Sequence, residues 1–517
     1  MAALLLAAQA LLLHHAVAVM RPKSEAPGPG GGELATARQG DLAGAELRDP
    51  IPALEGCRGF ECVERYVAFQ DGGFSTEPAG KPKEGETKGA KWTSYSLAMT
   101  SQAWMVAETG RAAWSHRLTV VVPQGLEAGS RQAGWATLLV SEEPWLAEEM
   151  ASRTGAVAVA LSDVPNQLLD FGQGPLGEEE LKAWSWVQYA KNAQHPEWPV
   201  EMPSVKAVVR AMDAVVGFRA EGLVPVSRFI VSGASKRAIA AYMAGAVDSR
   251  VGAILPVIIG VDQGSIFQDS LENTGGIPWA MEPYFSEGAL SLTDDQQAML
   301  RAIVDPYTYM ERLTMPKLAM NCGKDVFFPP DVTRSWWSKL PGPKTFYLYA
   351  NAGHVGYRQL PANPEGTPDF LDAADAWING LLLGEPTPEI SWAVNETGAI
   401  AVQQVSDHTP SSVHLWWART PGSERRDFRG ADWGDRGPLE PLPGSGGRAW
   451  LAAAAPEERR WQAFFVAFTY AAPRPGGPEW RLTTEVSVVP NVRPFAGANF
   501  SESRYRHLVF RAGGARG

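Results

Sequence analysis

The sequence is short of several things, and each shortage narrows what the chain can be. It has 3 cysteines in 517 residues, too few for a scaffold built on disulfides. None has a histidine close by in sequence, so the Cys/His spacing of a zinc site is missing and no metal is expected. Lys and Arg are outnumbered by Asp and Glu, leaving a net charge of −11. The densest basic spots are the pairs Arg425-Arg426 and Arg459-Arg460. Phosphate backbones are bound by larger clusters than these, which argues against a nucleic-acid partner. No uninterrupted apolar run of about 18 residues follows the N-terminal segment, so no later segment is expected to span a bilayer. No glycine loop sits in the strand–loop–helix context of a phosphate or dinucleotide site, and no cofactor is expected. Internal repeats are also missing, which excludes a solenoid.

What is present fits a globular chain. Hydrophobic residues make up 45% and charged residues 20%, enough for a large core, and the length suits two to four domains. The 19 tryptophans are bulky and partly polar, which suits mixed interfaces and pockets. Residues 1–20 (MAALLLAAQALLLHHAVAVM) are almost wholly apolar, and Ala16-Val17-Ala18 resembles a small-x-small cleavage site. Residues 1–18 therefore read as a signal peptide, with an uncleaved membrane anchor as the alternative, and the mature chain is expected in the secretory lumen or outside the cell. In that compartment Cys57 and Cys62 are disulfide candidates. Asn395 and Asn499, in N-E-T and N-F-S, are glycosylation candidates there. Residues 19–55 contain PGPGGGE and read as a flexible linker. The lysine-rich stretch 81–91 (KPKEGETKGAK) reads as an exposed loop.

From residue 118 onward, strand-like and helix-like segments alternate. RLTVVVP (117–123), WATLLVS (135–141), AVAVALSDVP (156–165), RFIVSGAS (228–235), VGAILPVIIGV (251–261), PKLAMNCG (316–323) and KTFYLYANAG (344–353) read as strands. Residues 145–155, 204–222, 236–247 and 371–384 read as helices between and after them. Such alternation predicts an α/β fold, a mostly parallel sheet flanked by helices, over residues 56–385. A helical insertion at about 263–313 would form a lid over it. At Glu385-Pro386 the pattern changes to short alternating strands, so residues 386–490 are expected to form a β-rich, sandwich-like domain. Residues 491–517 remain as a tail.

The segment with chemistry in it is Ile230-Val231-Ser232-Gly233-Ala234-Ser235-Lys236-Arg237, a strand that runs straight into a helix. A sharp strand-turn-helix elbow presents the nucleophile in α/β-hydrolases, with small residues around it because strand and helix approach closely. Gly233 stands two before Ser235, but Arg237 occupies the place of the second glycine in G-x-S-x-G. By itself Ser235 is equally a helix-capping serine. A hydroxyl nucleophile needs a base, and the base needs an acid to orient it, in the order Ser, acid, His in this fold. Asp325 follows the strand at 316–323, and His354 follows the strand at 344–353. Among the eight histidines, His354 alone stands at a strand end after that acid. His116 precedes the first clear strand and His195 sits in a polar loop. Asp262, after the strand at 251–261, remains a rival acid. Asp331 reads as a helix N-cap. For the oxyanion, the expected donors are the N–H of Lys236 and a second group at Ser141. Glu178-Glu179-Glu180 are accounted for by the dipole of the helix they open, and Trp184, Trp186, Trp336 and Trp337 by core packing.

These residues, together with MTSQAW (99–104), VPNQLLDF (164–171), PEWPVEMPSVKAVVRAMDAV (196–215), VSGASKRA, DPYTYMERLTMPKLAMNCGKDVFFPPD, LPGPKTFYLYANAGH and RRDFRG, make the chain resemble the PhoPQ-activated pathogenicity-related protein family. A secreted autocrine proliferation repressor belongs to that family. The matches run in order over about residues 66–490. The resemblance implies an α/β-hydrolase with a β-rich C-terminal extension, with Ser235 as nucleophile, Asp325 as acid and His354 as base. Two departures stand out. Ala238 replaces the family's glycine after Lys-Arg, and SEEPW (141–145) replaces a glycine-rich segment. The expectation is a serine hydrolase acting on a small ester or peptide. The alternative is a hydrolase-like signalling or binding protein without turnover, which could engage a protein partner through the C-terminal domain.

Overall fold

Runs in which every residue is buried, such as VAVAL and KLAMNC, fit only strands covered on both faces. Both are strands of that kind. The computed structural model describes residues 51–110, 113–220, 222–354, 370–458 and 460–500. The apolar leader, the linker up to residue 50 and the tail from 501 lie outside the described residues.

Among the described residues, ten strands form one sheet. They are β1 (Ser75–Pro78), β2 (Lys83–Thr87), β3 (Ala90–Gln102), β4 (Trp114–Pro123), β5 (Trp135–Val140), β6 (Val157–Leu161), β7 (Arg228–Ala234), β8 (Val251–Val257), β9 (Lys317–Cys322) and β10 (Lys344–Tyr349). The order is β1-β3-β4-β6-β5-β7-β8-β9-β10, with β2 also on β3. From β6 to β10 every pairing is parallel, while β1 to β4 pair antiparallel and β4 meets β6 antiparallel. The fold is α/β with a mostly parallel sheet.

Helices cover both faces. Val157, Val159 and Leu161 of β6 face one side, where Val205, Val208 and Met212 of α4 (Glu201–Gly217) and Ile239 of α5 (Lys236–Val247) join them. Ala158 and Ala160 face the other, against Met150 of α2 (Pro144–Thr154) and Trp377 of α8 (Phe370–Leu383). Each fully buried Val, Leu or Met on these faces contributes about 1.5–3 kcal/mol. The other α-helices longer than five residues, among the described residues, are α1 (Phe60–Ala68), α3 (Glu178–Lys191), α6 (Gln263–Thr274) and α7 (Asp294–Val304).

Three sequence readings need correction. Residues 81–91 are not a loop: β2 and β3 form a hairpin there, turned by Lys88 and Gly89, both at positive φ. Its side chains are mostly exposed, so the period-2 burial signal was missing. Helix α4 starts at Glu201 rather than 204 and ends at Gly217 rather than near 222, because Pro203 is tolerated in a first turn. The strand beginning at Val251 stops at Val257, where Ile258 takes a φ of 51°.

Beyond α8, eight strands among the described residues pair antiparallel: β11 (Ile390–Val394), β12 (Ile400–Gln404), β13 (Ser412–Arg419), β14 (Gly434–Pro438), β15 (Ala449–Ala452), β16 (Gln462–Tyr470), β17 (Trp480–Thr483) and β18 (Ser487–Val489). β11, β12 and β15 form one sheet and the other five a second. Strand β16 alternates as a two-sided strand should. Phe464, Val466 and Phe468 pack with Ile400, Val402 and Trp450 of the smaller sheet. Ala463 and Phe465 face Phe428 and Trp433.

Cys57 and Cys62 are disulfide-bonded, with their Cα atoms 5.2 Å apart. The side chains of Asn395 and Asn499 lie at the surface. No helix among the described residues is long and apolar enough to cross a membrane.

Candidate active site

Open α/β sheets place their sites beyond the carboxyl ends of the parallel strands. Ser235 follows β7 directly, Asp325 lies three residues past β9, and His354 lies five past β10. The structure brings these three side chains together. The Nε2 of His354 is 2.9 Å from the Ser235 Oγ, and its Nδ1 is 2.9 Å from the Asp325 Oδ2. An ionised carboxylate can only accept, so Nδ1 carries the imidazole proton and Nε2 is left to accept from the Ser235 hydroxyl. The other carboxylate oxygen, Oδ1, accepts the backbone N–H groups of Phe327 at 2.7 Å and Phe328 at 3.0 Å. Asp325 is buried, and the rings of Phe327 and Phe328 flank the imidazole at 4.6 and 5.9 Å.

The local backbone shows why Ser235 sits where it does. Its φ of 57° and ψ of −129° are costly for a residue with a side chain, at about 1–3 kcal/mol. The bend is held by its own N–H donating to the Val257 carbonyl at 2.9 Å and by Ala238 N–H donating to the Ser235 carbonyl at 2.8 Å. A Cβ on Gly233 would stand 2.5 Å from the Arg237 carbonyl oxygen, so glycine is required for the helix to start so close to the strand. Arg237, in place of the second glycine, pairs with Glu142 at 3.0 Å. Lys236 opens α5, so its backbone N–H has no carbonyl inside the helix to reach.

The residue at the other expected oxyanion position is differently engaged. The Ser141 N–H donates to the Leu161 carbonyl at 2.9 Å, and the Ser141 hydroxyl accepts from the Glu143 N–H at 3.1 Å. The backbone amide of Ser141 is spent on closing the β5–β6 ladder and does not face a substrate.

The rival acids are occupied elsewhere. Asp262 accepts the Ser265 hydroxyl at 2.6 Å. Asp331 makes no capping bond with its carboxylate. It forms a bidentate pair with Arg426 instead, one arm at 3.1 Å. His116 lies inside β4, not before it, with Nε2 2.9 Å from the Ser101 hydroxyl, and burial pushes its pKa down to about 4. His195 is buried against Glu197.

A cavity opens at Ser235, of about 420 Å³ counted with the open space at its mouth. Ile266, Phe267 and Met281 from the segment after β8 line one side, Phe327 and Phe328 another, and Glu179, Lys182, Gln263 and Tyr284 supply polar groups. The helix-dipole account of the glutamates at the start of α3 was incomplete. The carboxylates of Glu178 and Glu179 close on the Lys236 ammonium, the latter at 2.7 Å, and the Tyr284 hydroxyl donates to Glu179. Burial pushes Glu178 up, but Lys236 and Arg237 outweigh it and hold the carboxyl at about 2. Nothing in the sequence flagged Gln263 or Tyr284, because the residues that share the cavity with them are remote in the chain. The tryptophans pack as expected: Trp336 and Trp337 are core, and Trp184 packs on Phe171 with centroids 4.2 Å apart.

The β-rich region supports the loops that carry Asp325 and His354. The Trp433 indole N–H donates to the Gly323 carbonyl at 3.3 Å. Asn351 exchanges two bonds with the Trp433 backbone, at 2.8 and 2.9 Å. Lys324 pairs with Asp432 at 2.9 Å. Cys322, the remaining cysteine, is buried in β9.

Sheet, elbow and strand-end loops together define an α/β-hydrolase fold. Residues 82–429 match the PhoPQ-activated pathogenicity-related protein family, and the chain belongs to it. It is 28% identical over 452 residues to autocrine proliferation repressor protein A of Dictyostelium discoideum, covering 79% of this chain and 87% of that one. Among solved structures it is similar to an acetyl xylan esterase from Paenibacillus sp. R4, with 16% identity, a TM-score of 0.44, and coverage of 62% of this chain and 92% of that one. It is also similar to acetyl xylan esterase 1 from Thermoanaerobacterium sp. JW/SL YS485, with 14% identity, a TM-score of 0.42, and coverage of 64% and 96%.

Proposed function

We propose that the chain is a serine hydrolase acting on small carboxylic esters or peptides, with Ser235 as nucleophile, His354 as general base and Asp325 as its orienting acid. The observation that carries the reading is the unbroken hydrogen-bond chain from the Ser235 hydroxyl through His354 to Asp325, opening on a cavity. As Ser235 Oγ bonds to the scissile carbonyl carbon, its proton passes to His354 Nε2. The tetrahedral oxyanion is stabilised by the Lys236 N–H, which lies at a helix N-terminus. His354 returns the proton to the leaving alcohol or amine as the acyl–oxygen or acyl–nitrogen bond breaks. Water then attacks the acyl-enzyme, gives its proton to His354, and releases the acid as Ser235 takes that proton back. The charged groups of the cavity, Glu179, Lys182 and Lys236, are already held in ion pairs, so its apolar walls favour a compact, uncharged acyl group.

Residues 263–313 act as the lid and residues 386–490 as the β-rich domain in this reading. The apolar leader and the Cys57–Cys62 bond support a secretory location, where Asn395 and Asn499 would be open to glycosylation. The test is labelling by a fluorophosphonate. Wild-type protein should be modified at Ser235 and the Ser235→Ala variant should not; equal labelling of both at the same place would end the proposal. The name of the Dictyostelium relative, an autocrine proliferation repressor, favours a second reading, a signalling protein without turnover. That reading prevails if Ser235→Ala leaves the biological activity intact.

A further inference from the structure

One polar group in the cavity has no task in the chemistry above. Gln263 is 8% exposed, and among the described residues its side-chain Nε2 is sealed from solvent with no hydrogen-bond partner. An unpaired buried N–H costs stability, and buried polar groups without partners mark places where a ligand supplies one. Gln263 lines the same cavity as Ser235 and Lys236.

Its position is built, not incidental. Gln263 is the first residue of α6, after Asp262 in a left-handed turn at φ 67°. Its backbone N–H donates to the Asp305 Oδ2 at 2.7 Å, and the Asp262 N–H donates to the Oδ1 at 3.0 Å. Asp305 is itself buried. This carboxylate clamp fixes the start of α6, and with it the place of Gln263 in the cavity wall. The remaining walls are apolar: Ile259, Ile266, Phe267, Met281, Phe327 and Phe328. Both lysines of the cavity are engaged, Lys236 by Glu178 and Glu179, and Lys182 by Glu201 at 3.4 Å. An anionic substrate therefore finds paired cations there, whereas a neutral acceptor oxygen finds a waiting donor.

We infer that Gln263 is a specificity-determining residue, whose Nε2–H donates to a neutral acceptor oxygen (ether, hydroxyl or ketone) carried on a short acyl chain. This rests on the hydrolase reading of the same cavity and narrows its substrate class to oxygen-bearing short acyl esters. Sites built to hydrogen-bond a substrate oxygen discriminate strongly against the analogue that lacks it.

The experiment compares two esters of near-equal shape, p-nitrophenyl methoxyacetate and p-nitrophenyl butyrate, on the full chain and on Gln263→Leu and Gln263→Met. The readout is the ratio of kcat/KM for methoxyacetate to that for butyrate, which cancels the greater intrinsic reactivity of the first when variants are compared with wild type. One lost hydrogen bond should lower that ratio about 10-fold in both variants. A ratio that stays within about twofold of wild type overturns the inference. So does an equal fall for both esters, since Gln263 would then serve the oxyanion common to both. Thermal melts of both variants check that they fold, and Gln263→Met keeps the length of the side chain if Gln263→Leu does not. Fluorophosphonate labelling of the wild type separates the two claims: labelled protein with an unmoved ratio sinks the Gln263 role alone. If the wild type is neither labelled nor active, calorimetric titration of wild type and Gln263→Met with ethyl methoxyacetate and ethyl butyrate still decides it. A preference for the ether ester that the variant loses supports the Gln263 contact, and equal affinities reject it.

Discussion

Asp325→Asn is the sharpest perturbation of the site, because the structure dictates how the new amide must sit. Asp325 Oδ1 accepts two backbone N–H groups, from Phe327 and Phe328, and Oδ2 faces His354 Nδ1. An asparagine can keep its oxygen on the two N–H groups only by pointing its NH2 at the imidazole. The flipped amide would set NH2 against both N–H groups, leaving two buried donors unsatisfied at about 1–3 kcal/mol each. The unflipped form therefore dominates. It requires Nδ1 to accept, which moves the ring proton to Nε2, so that Ser235 meets a donor where it needs a base. Loss of the correct tautomer with geometry otherwise intact lowers kcat by about four orders of magnitude in a triad of this kind. The assay is ester turnover together with the second-order rate of fluorophosphonate labelling. Thermal melts should shift little, because size and the two Phe N–H bonds are kept. A fall of less than about 10-fold would mean that Asp325 does not set the state of His354, and the triad reasoning would be wrong.

Other outcomes follow from the packing. Gly233→Ala sets a Cβ 2.5 Å from the Arg237 carbonyl, so it should cost about 1–3 kcal/mol by overpacking and slow Ser235 labelling as the helix is pushed off the strand; unchanged melting and labelling would refute the close approach. Arg426→Ala removes a buried guanidinium and leaves the Asp331 carboxylate, its side chain 10% exposed, without that partner, and should destabilise by about 3–5 kcal/mol. The double variant with Asp331→Leu should recover much of that, as denaturant unfolding would show. Burial, with the Lys344 ammonium nearby, pushes Lys317 down to about 7 from its usual 10.5. The unfolded chain thus binds this proton more tightly than the folded one, so the cost is full below pH 7 and fades as pH rises toward 10.5. Any stability advantage of Lys317→Met over wild type should therefore shrink by about 1.4 kcal/mol per pH unit across that window; a gap independent of pH would contradict it.

How much of this was legible beforehand depended on where each signal lies in the chain. Strands buried on both faces announce themselves by continuous apolar runs, so β6, β7, β8, β9 and β10 were readable. The hairpin of β2 and β3 was not, since an exposed edge carries no burial pattern. The positions of Ser235, Asp325 and His354 could be proposed because each follows a strand and the order along the chain is constrained. Choosing Asp325 over Asp262 needed coordinates, because the difference lies in which carboxylate reaches the imidazole. The pairing of Lys236 with Glu178 and Glu179 joins residues tens of positions apart, and the bare amide of Gln263 is bare only because of how distant segments pack around it; both are beyond the reach of local pattern. The engaged amide of Ser141 was hidden for the same reason: its partner is a carbonyl on the neighbouring strand.

Trp433, seated between Gly323 and Asn351, makes the β-rich region a keystone for two loops it does not itself contain. A fragment cut after α8 would retain the elbow and its serine while losing the abutment under both other members of the relay. Truncations at that point should therefore lose turnover even where Ser235 is kept, because the serine would have no ordered partner to take its proton. Substitutions that spread through the two antiparallel sheets would be felt first as a slackening of chemistry, well before the chain comes apart.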